Sequence, residues 1–304
     1  MKNKGENIVA SVRQRLINLS KERGEDPNLV FIRYAIERFL YRLSCSKQSS
    51  KFILKGAMLW AIWAEKPHRP TKDLDLLGFG DASADILQRI FGEICKVAVE
   101  PDGLTFNPDT IQISEIREDL EYPGQRIKLE SRLGNARINI QVDIGFGDSV
   151  VPAPIEIDYP TLLDMPSPHI KAYPIETVVA EKLETIVSKG VLNSRMKDFY
   201  DLRILAQEFE FDGNRLSEAI KATFNRRGTN IPNDPPAAFT EEFYANSDKQ
   251  IQWRAFLRTS KLEIHKIELP EVVNDIQRFL MLPLNAVAKN DSFSMKWLAS
   301  GPWE

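Results

Sequence analysis

Residues 69–78 read Arg69-Pro-Thr-Lys-Asp-Leu-Asp-Leu-Leu-Gly78. Asp73 and Asp75 alternate with Leu74 and Leu76, which predicts a strand with one polar and one apolar face. Residues two apart on a strand point the same way, roughly 6–7 Å apart along the chain. Asp73 and Asp75 therefore share a face, while Leu74 and Leu76 turn toward a core. Two carboxylates side by side repel each other unless a proton or a cation sits between them. Mg2+ suits such a pair, because it takes hard oxygen ligands and keeps waters for a substrate phosphate. The plainer alternative is that both residues simply end the strand at the surface.

Two neighbouring stretches favour the chemical reading. Upstream, Lys55-Gly-Ala-Met-Leu-Trp60 puts a glycine at the head of an apolar segment, spaced so that a helix can return onto the strand. Downstream, Ile138-Asn-Ile-Gln-Val-Asp-Ile-Gly-Phe-Gly-Asp148 alternates aliphatic with polar residues. Asp143 lies on the polar face of that second strand. It meets Asp73 and Asp75 if the two strands are adjacent. Three carboxylates on neighbouring strands can hold two divalent ions about 3.5–4 Å apart. Such ions would bridge the phosphates of a nucleoside triphosphate, and Asp143 would accept the proton of an attacking hydroxyl. Catalysis would rest mostly on charge neutralisation and alignment.

Other uses of these residues fail on spacing. An EF-hand loop begun at Asp73 would place Leu77 and Ala84 where oxygen ligands are required. There is no GxxxxGK[ST], no HExxH and no GxSxG. Gly78-Phe-Gly80 and Gly145-Phe-Gly147 read as tight turns at strand ends. The chain has 304 residues and a net charge of −3, so bulk charge does not make it a polyanion binder. Its 43% hydrophobic and 27% charged residues exclude wholesale disorder. Cys45 and Cys95 stand far apart, which fits a reducing compartment and excludes a cysteine-rich zinc site. Residues 1–16 carry no apolar core of the signal-peptide kind, and Gly56 to Ala64 is too short an apolar run to span a bilayer. A cytoplasmic location with no membrane contact is expected.

The fold class expected is α/β (α+β), a mixed sheet with flanking helices followed by a helical lobe. Asp26-Pro27 reads as a helix start, with Ile32, Ile36, Phe39, Leu40 and Leu43 at helical spacing behind it. Phe52 to Leu54 reads as the approach to a buried helix over residues 56–64. Strands are predicted over 74–79, 110–116, 126–133 and 137–144, with a helix over 84–97. Turn signals at Tyr122-Pro-Gly-Gln125 and Leu133-Gly-Asn135 separate the later strands. The proline-rich stretch 150–174 reads as an extended crossing segment. Helices are predicted over 176–189, 195–207, 213–226, 249–259 and 271–282, a loop over 228–238, and little structure in the last 15 residues. The division expected is a core domain with N-terminal helices at 1–165 and a mainly helical lobe at 166–304.

A second constellation lies on the helical side, in Glu176-Thr-Val-Val-Ala-Glu-Lys-Leu-Glu184 and Asn193-Ser-Arg-Met-Lys-Asp-Phe-Tyr-Asp-Leu-Arg203. Lys182 and Lys189 share a helix face, as do Asp198 and Asp201. Arg195 stands at ion-pair spacing from Asp198, and Lys197 from Asp201. One reading is a solvated face laced with salt bridges. The other has Lys182 and Arg195 reaching a triphosphate, with Asp198 orienting one of them and electrostatic stabilisation as their role. A weaker candidate for RNA contact is Arg226-Arg227 together with Trp253-Arg-Ala-Phe256.

Taken together, Leu54-Lys-Gly-Ala57, Arg69-Pro-Thr-Lys-Asp-Leu-Asp-Leu76, Val142-Asp-Ile-Gly-Phe-Gly-Asp148, Ala180-Glu-Lys182 and Arg195-Met-Lys-Asp-Phe-Tyr-Asp-Leu202 resemble the AbiEii/AbiGii toxin family of nucleotidyltransferases. The resemblance runs from about Arg33 to Phe211. It implies a polymerase-β-like core fold with a helical lobe. It also implies an NTP substrate, Mg2+ or Mn2+, and a cognate antitoxin. The related MenT toxins add nucleotides to the 3′ acceptor end of tRNA, which makes tRNA the expected acceptor. By the same resemblance Asp73 and Asp75 match the metal-binding pair. Gly56 matches the glycine before it, Lys182 the AEK lysine and Asp198 the KD aspartate. Lys55, Gly56, Thr71, Lys182, Lys189 and Arg195 are the nucleotide-binding residues expected. One departure stands out: the wider superfamily often has Gly-Ser where this chain has Gly56-Ala57. Thr71 or backbone N–H groups are the expected replacements for the missing hydroxyl. Transfer to a protein or small-molecule acceptor, or binding without turnover, are the alternatives.

Overall fold

Asp26 opens the first long element that the sequence announces. Its carboxylate accepts from the Asn28 N–H at 2.8 Å, and Pro27 fills the first helical position. In the computed structural model, which describes residues 4–63, 71–116, 124–262 and 267–304, this helix follows an N-terminal one. Arg69 and Pro70 of the carboxylate motif, Ala64, His68, His265, and Tyr122 and Pro123 of the expected turn lie outside those residues. The chain separates into two compact units: Met1–Gly147 with Ile155–Tyr173, and Asp148–Pro154 with Pro174–Glu304.

The first unit contains α1 (Lys4–Arg23), α2 (Pro27–Ser44), β1 (Phe52–Lys55), a 3-10 turn (Gly56–Leu59), α3 (Trp60–Trp63), β2 (Asp73–Gly78), α4 (Ala84–Cys95), β3 (Leu104–Ile116), β4 (Gly124–Leu133), β5 (Ala136–Phe146), β6 (Ile155–Asp158) and β7 (His169–Ala172). Seven strands form one mixed sheet in the order β3-β4-β5-β2-β1-β7-β6. β2 runs parallel to β5 and antiparallel to β1, and β3-β4-β5 is an antiparallel meander. Gly134-Asn135 closes the β4–β5 hairpin, with Gly134 at φ +60° as such a two-residue turn requires. Leu74, Leu76, Ile127, Leu129, Ile138, Ile140, Val142 and Ile144 fill the core. α2 packs on β5, and α4 on β3.

Several local expectations are corrected. Phe52–Lys55 is a strand rather than a helix approach, because a central sheet position pairs it on both sides, with β2 and β7. The helix expected over 56–64 begins as a 3-10 turn, since Gly56 enters at φ +74°. β3 starts six residues before the predicted 110, and the irregularity between Asn107 and Gln112 absorbs Pro108. The proline-rich stretch supplies the β6–β7 hairpin at the sheet edge. Residues 166–173 thus belong with the first unit, because β7 pairs with β1.

α2 also buries more than its apolar stripe. Glu37 and Arg38 are only 2% and 1% exposed. Arg42 clasps the two oxygens of buried Asp102 at 2.6 and 3.1 Å. Arg38 donates to the Pro166 carbonyl at 2.7 Å, and Glu37 accepts from the Leu162 N–H at 2.6 Å. Burial pushes the Glu37 carboxyl up to about 7.

The second unit contains α5 (Ile175–Lys189), α6 (Met196–Glu208), β8 (Phe211–Asp212), α7 (Gly213–Arg226), α8 (Glu241–Tyr244), α9 (Ser247–Thr259), α10 (Leu269–Lys289) and β9 (Lys296–Trp297). α5 packs on α7, and α10 on both α6 and α7. α10 passes through Pro283 and stops at Asn290, which adopts the left-handed region at φ 57°. The C-terminal residues are ordered, contrary to expectation. β9 pairs with β8, and Trp303 donates its indole N–H to the Phe279 carbonyl at 2.8 Å among Phe279, Phe293 and Trp297. Aromatic burial in contact with α10 supplies the order that local turn signals did not show. None of the described helices is long and apolar enough to cross a membrane.

Candidate active site

The polar face of the sheet carries the first cluster. Parallel pairing sets Asp75 opposite Asp143 and Asp73 opposite Gln141. Residues opposed in register point to the same face, and adjacent strands lie about 4.8 Å apart. Asp73, Asp75 and Asp143 therefore occupy one face of two neighbouring strands. The same register extends sideways: Lys55 of β1 opposes Asp75, and Arg126 of β4 opposes Asp143. A single row across the sheet thus reads Lys55, Asp75, Asp143, Arg126.

Arg126 is the residue that sequence reading missed. Its Nε donates to Asp143 Oδ1 at 2.9 Å and its Nη2 to Oδ2 at 2.7 Å, a two-pronged ion pair. Gln141 adds a third contact, donating to Oδ2 at 3.3 Å. The available signal was the spacing of Arg126 in a strand predicted to pair with the one bearing Asp143. Pairing register is not written in either strand alone.

Gly56 explains how the main chain comes so close to the acidic pair. A methyl carbon at this position would stand 2.0 Å from Asp75 Oδ2. Only a residue without Cβ lets the backbone lie against that carboxylate, and the φ of +74° independently favours glycine. Ala57 is buried, and the Thr71 hydroxyl donates to the Asp73 carbonyl at 3.3 Å. That bond uses the proton Thr71 would need to replace a serine hydroxyl, which leaves backbone N–H groups of the 56–59 turn as the other donors. Lys55 holds its ammonium 5.1 Å from the centre of the Tyr173 ring.

The donor chemistry of Asp73 and Asp75 fits Mg2+ or Mn2+, which commonly binds one or two carboxylates and leaves its remaining positions to water and phosphate. Among the described residues no group of three His, Cys, Asp or Glu side chains gathers as metal ligands. Asp143 stands beside Asp75 in register, and both of its oxygens accept from the Arg126 fork.

The second unit carries the other cluster, built on α5 and α6. Lys182 donates to Asp198 Oδ1 at 2.7 Å and to Asp201 Oδ2 at 2.8 Å. Arg195, the residue preceding α6, donates its Nε to Asp198 Oδ2 at 2.8 Å. Both carboxylates are buried. Burial alone would raise Asp198, but the charges of Lys182 and Arg195 outweigh it and hold this carboxyl well below the usual carboxylate range. Lys189 ends α5 two turns beyond Lys182. The candidate RNA contacts dissolve in part. Arg227 is half-buried and ion-paired with Asp148, Glu181 and Glu184, and the Trp253 ring is core, its N–H bonded to the Ile267 carbonyl.

Two solved structures are similar to this chain. One is JHP933 from Helicobacter pylori, at 16% identity and a TM-score of 0.45, covering 83% of this chain and 87% of that one. The other is a candidate nucleotidyltransferase from H. pylori, at 16% identity and a TM-score of 0.42, covering 83% and 90%. No curated protein matches the chain. The family model for the nucleotidyl transferase AbiEii toxin of type IV toxin–antitoxin systems matches residues 38–280, which include both clusters. The chain belongs to the AbiEii nucleotidyltransferase toxin family.

Proposed function

We propose that this protein moves a nucleoside monophosphate from an NTP to a hydroxyl of RNA, the 3′ end of tRNA, in a reaction that uses Mg2+ or Mn2+. The observation that supports it most is the β2–β5 register, with Asp75 beside Asp143 and Asp73 on the same face. In this reading Asp73 and Asp75 hold the divalent ion. When bound, the ion would neutralise phosphate charge and align the α-phosphoryl group. The acceptor oxygen bonds to the α-phosphorus, the bond to the β-phosphate oxygen breaks, and pyrophosphate leaves. Asp143 takes the proton of the acceptor hydroxyl. The Gly56 turn offers backbone N–H groups to the triphosphate. Lys55, Lys182, Lys189 and Arg195 supply positive charge for phosphate, and Asp198 orients Lys182 and Arg195. The acceptor assignment rests on the likeness to the MenT toxins. A cognate antitoxin protein is the expected partner, and the cytoplasm the expected location.

The test supplies each radiolabelled NTP with Mg2+ to the folded protein and a tRNA pool. Label should enter the tRNA band with one NTP preferred. Asp73→Ala and Asp75→Ala should each abolish transfer while circular dichroism stays native, because partly exposed site carboxylates stabilise little. Absence of transfer with every NTP, or unfolding of both variants, would count against the reading.

A further inference from the structure

We infer that Arg126 is a positioning residue that competes with the divalent ion for Asp143, so that Asp143 joins the metal site only when the guanidinium lets go. This deepens the proposed function and rests on Asp73 and Asp75 being metal ligands. Three observations carry it. The Arg126 fork takes both oxygens of Asp143, at 2.9 and 2.7 Å. Asp143 is the register neighbour of Asp75, so one carboxylate stands between a fixed cation and the acidic pair. The pair is not sealed, since the Arg126 side chain is 38% exposed and that of Asp143 18%. Exchange of one positive partner for another therefore needs only side-chain rotation on rigid strands. A carboxylate flanked by a second carboxylate and an arginine carries a charge that either cation can balance. The arginine does so in the absence of metal, and prevents Asp75 and Asp143 from repelling each other across the ladder.

Competition predicts that removing the fork strengthens metal binding, the reverse of what loss of a merely structural ion pair would do. Mn2+ binding to the full-length protein without nucleotide would be measured by electron paramagnetic resonance. Arg126→Gln should tighten Mn2+ binding about tenfold, the scale of one partly exposed two-pronged ion pair. Arg126→Lys, which keeps the charge but not the fork, should fall between wild type and Arg126→Gln. Adding Asp143→Asn to Arg126→Gln should erase the gain. Native circular dichroism and an unchanged thermal midpoint for Arg126→Lys guard against misfolding. Unchanged or weaker binding in both Arg126 variants overturns the inference, as does a gain that survives Asp143→Asn. The two readings fail separately. If Asp73→Asn and Asp75→Asn leave Mn2+ binding intact, the metal site itself falls and takes this inference with it. If they abolish binding while Arg126→Gln binds as wild type does, only the role of Arg126 falls.

Discussion

Replacing Gly56 with alanine puts the closest approach in the candidate site under direct strain. The added methyl carbon would lie 2.0 Å from Asp75 Oδ2 and 2.6 Å from both Cβ and Cγ of Asp75. Two costs add. An L residue in the left-handed region gives up about 1–2 kcal/mol. Overpacking against a fixed neighbour costs about 1–3 kcal/mol. Rotating Asp75 about χ1 moves its carboxylate but not its Cβ, so the overlap persists until β1 and β2 separate locally at the Lys55–Asp75 pair. Gly56→Ala should therefore destabilise the protein by about 2–5 kcal/mol. In an Asp75→Gly background the clash has no partner, and only the conformational cost of about 1–2 kcal/mol remains. A four-protein cycle followed by urea unfolding should then give a coupling of about 1–3 kcal/mol. In the labelled-NTP assay, Gly56→Ala should lose about 100-fold or more, since displacing a site group by about 1 Å has that consequence. An equal penalty in both backgrounds, or wild-type stability in Gly56→Ala, refutes the contact between this main chain and that carboxylate.

Three further outcomes follow from the buried charges and the C-terminal aromatic cluster. Glu37 has its pKa raised to about 7 from an ordinary 4.5, so its proton stabilises the folded state fully below about 4.5, and the benefit is lost as pH rises to about 7. That loss amounts to about 3 kcal/mol, and Glu37→Gln should flatten the decline in denaturation curves collected from pH 4.5 to 8. Lys182→Met should cost about 3–5 kcal/mol, because Asp198 and Asp201 would stay buried without the ammonium between them. The depressed pKa of Asp198 contributes stability that is lost as pH falls through its folded value. Raising that value should move the acid-unfolding midpoint of Lys182→Met upward, and an unmoved midpoint would contradict the pairing. Trp303→Ala should cost about 3–5 kcal/mol in the second unit by emptying the space between Phe279 and Phe293; a thermal midpoint equal to wild type would show the C-terminus to be dispensable.

Short-range physics was legible in the amino-acid order. Asp26-Pro27 announced the start of α2, and the helices expected over 176–189 and 213–226 are found at Ile175–Lys189 and Gly213–Arg226. The alternation around Asp73 and Asp143 predicted two half-buried strands, each with one polar face that carries carboxylate. These signals are local: a cap, a period of 3.6, a period of two. Strand pairing was not legible in the same way. Phe52–Lys55 looks like any apolar run until two partners flank it, and the proline-rich 155–172 becomes a hairpin only because β1 offers β7 an edge.

Burial of charge was likewise decided over distance. Glu37, Arg38 and Arg42 lie on one helix, yet their partners Leu162, Pro166 and Asp102 come from remote loops. The candidate site divides along the same line. The residue types were set by the sequence, since carboxylates on one strand face call for a cation. The order of the row Lys55, Asp75, Asp143, Arg126 was set by the sheet, because register depends on how four strands pack their apolar faces onto one core. Nothing within β4 marks Arg126 as the partner of Asp143, and only the lateral pairing of β4 with β5 places a fixed cation against that carboxylate.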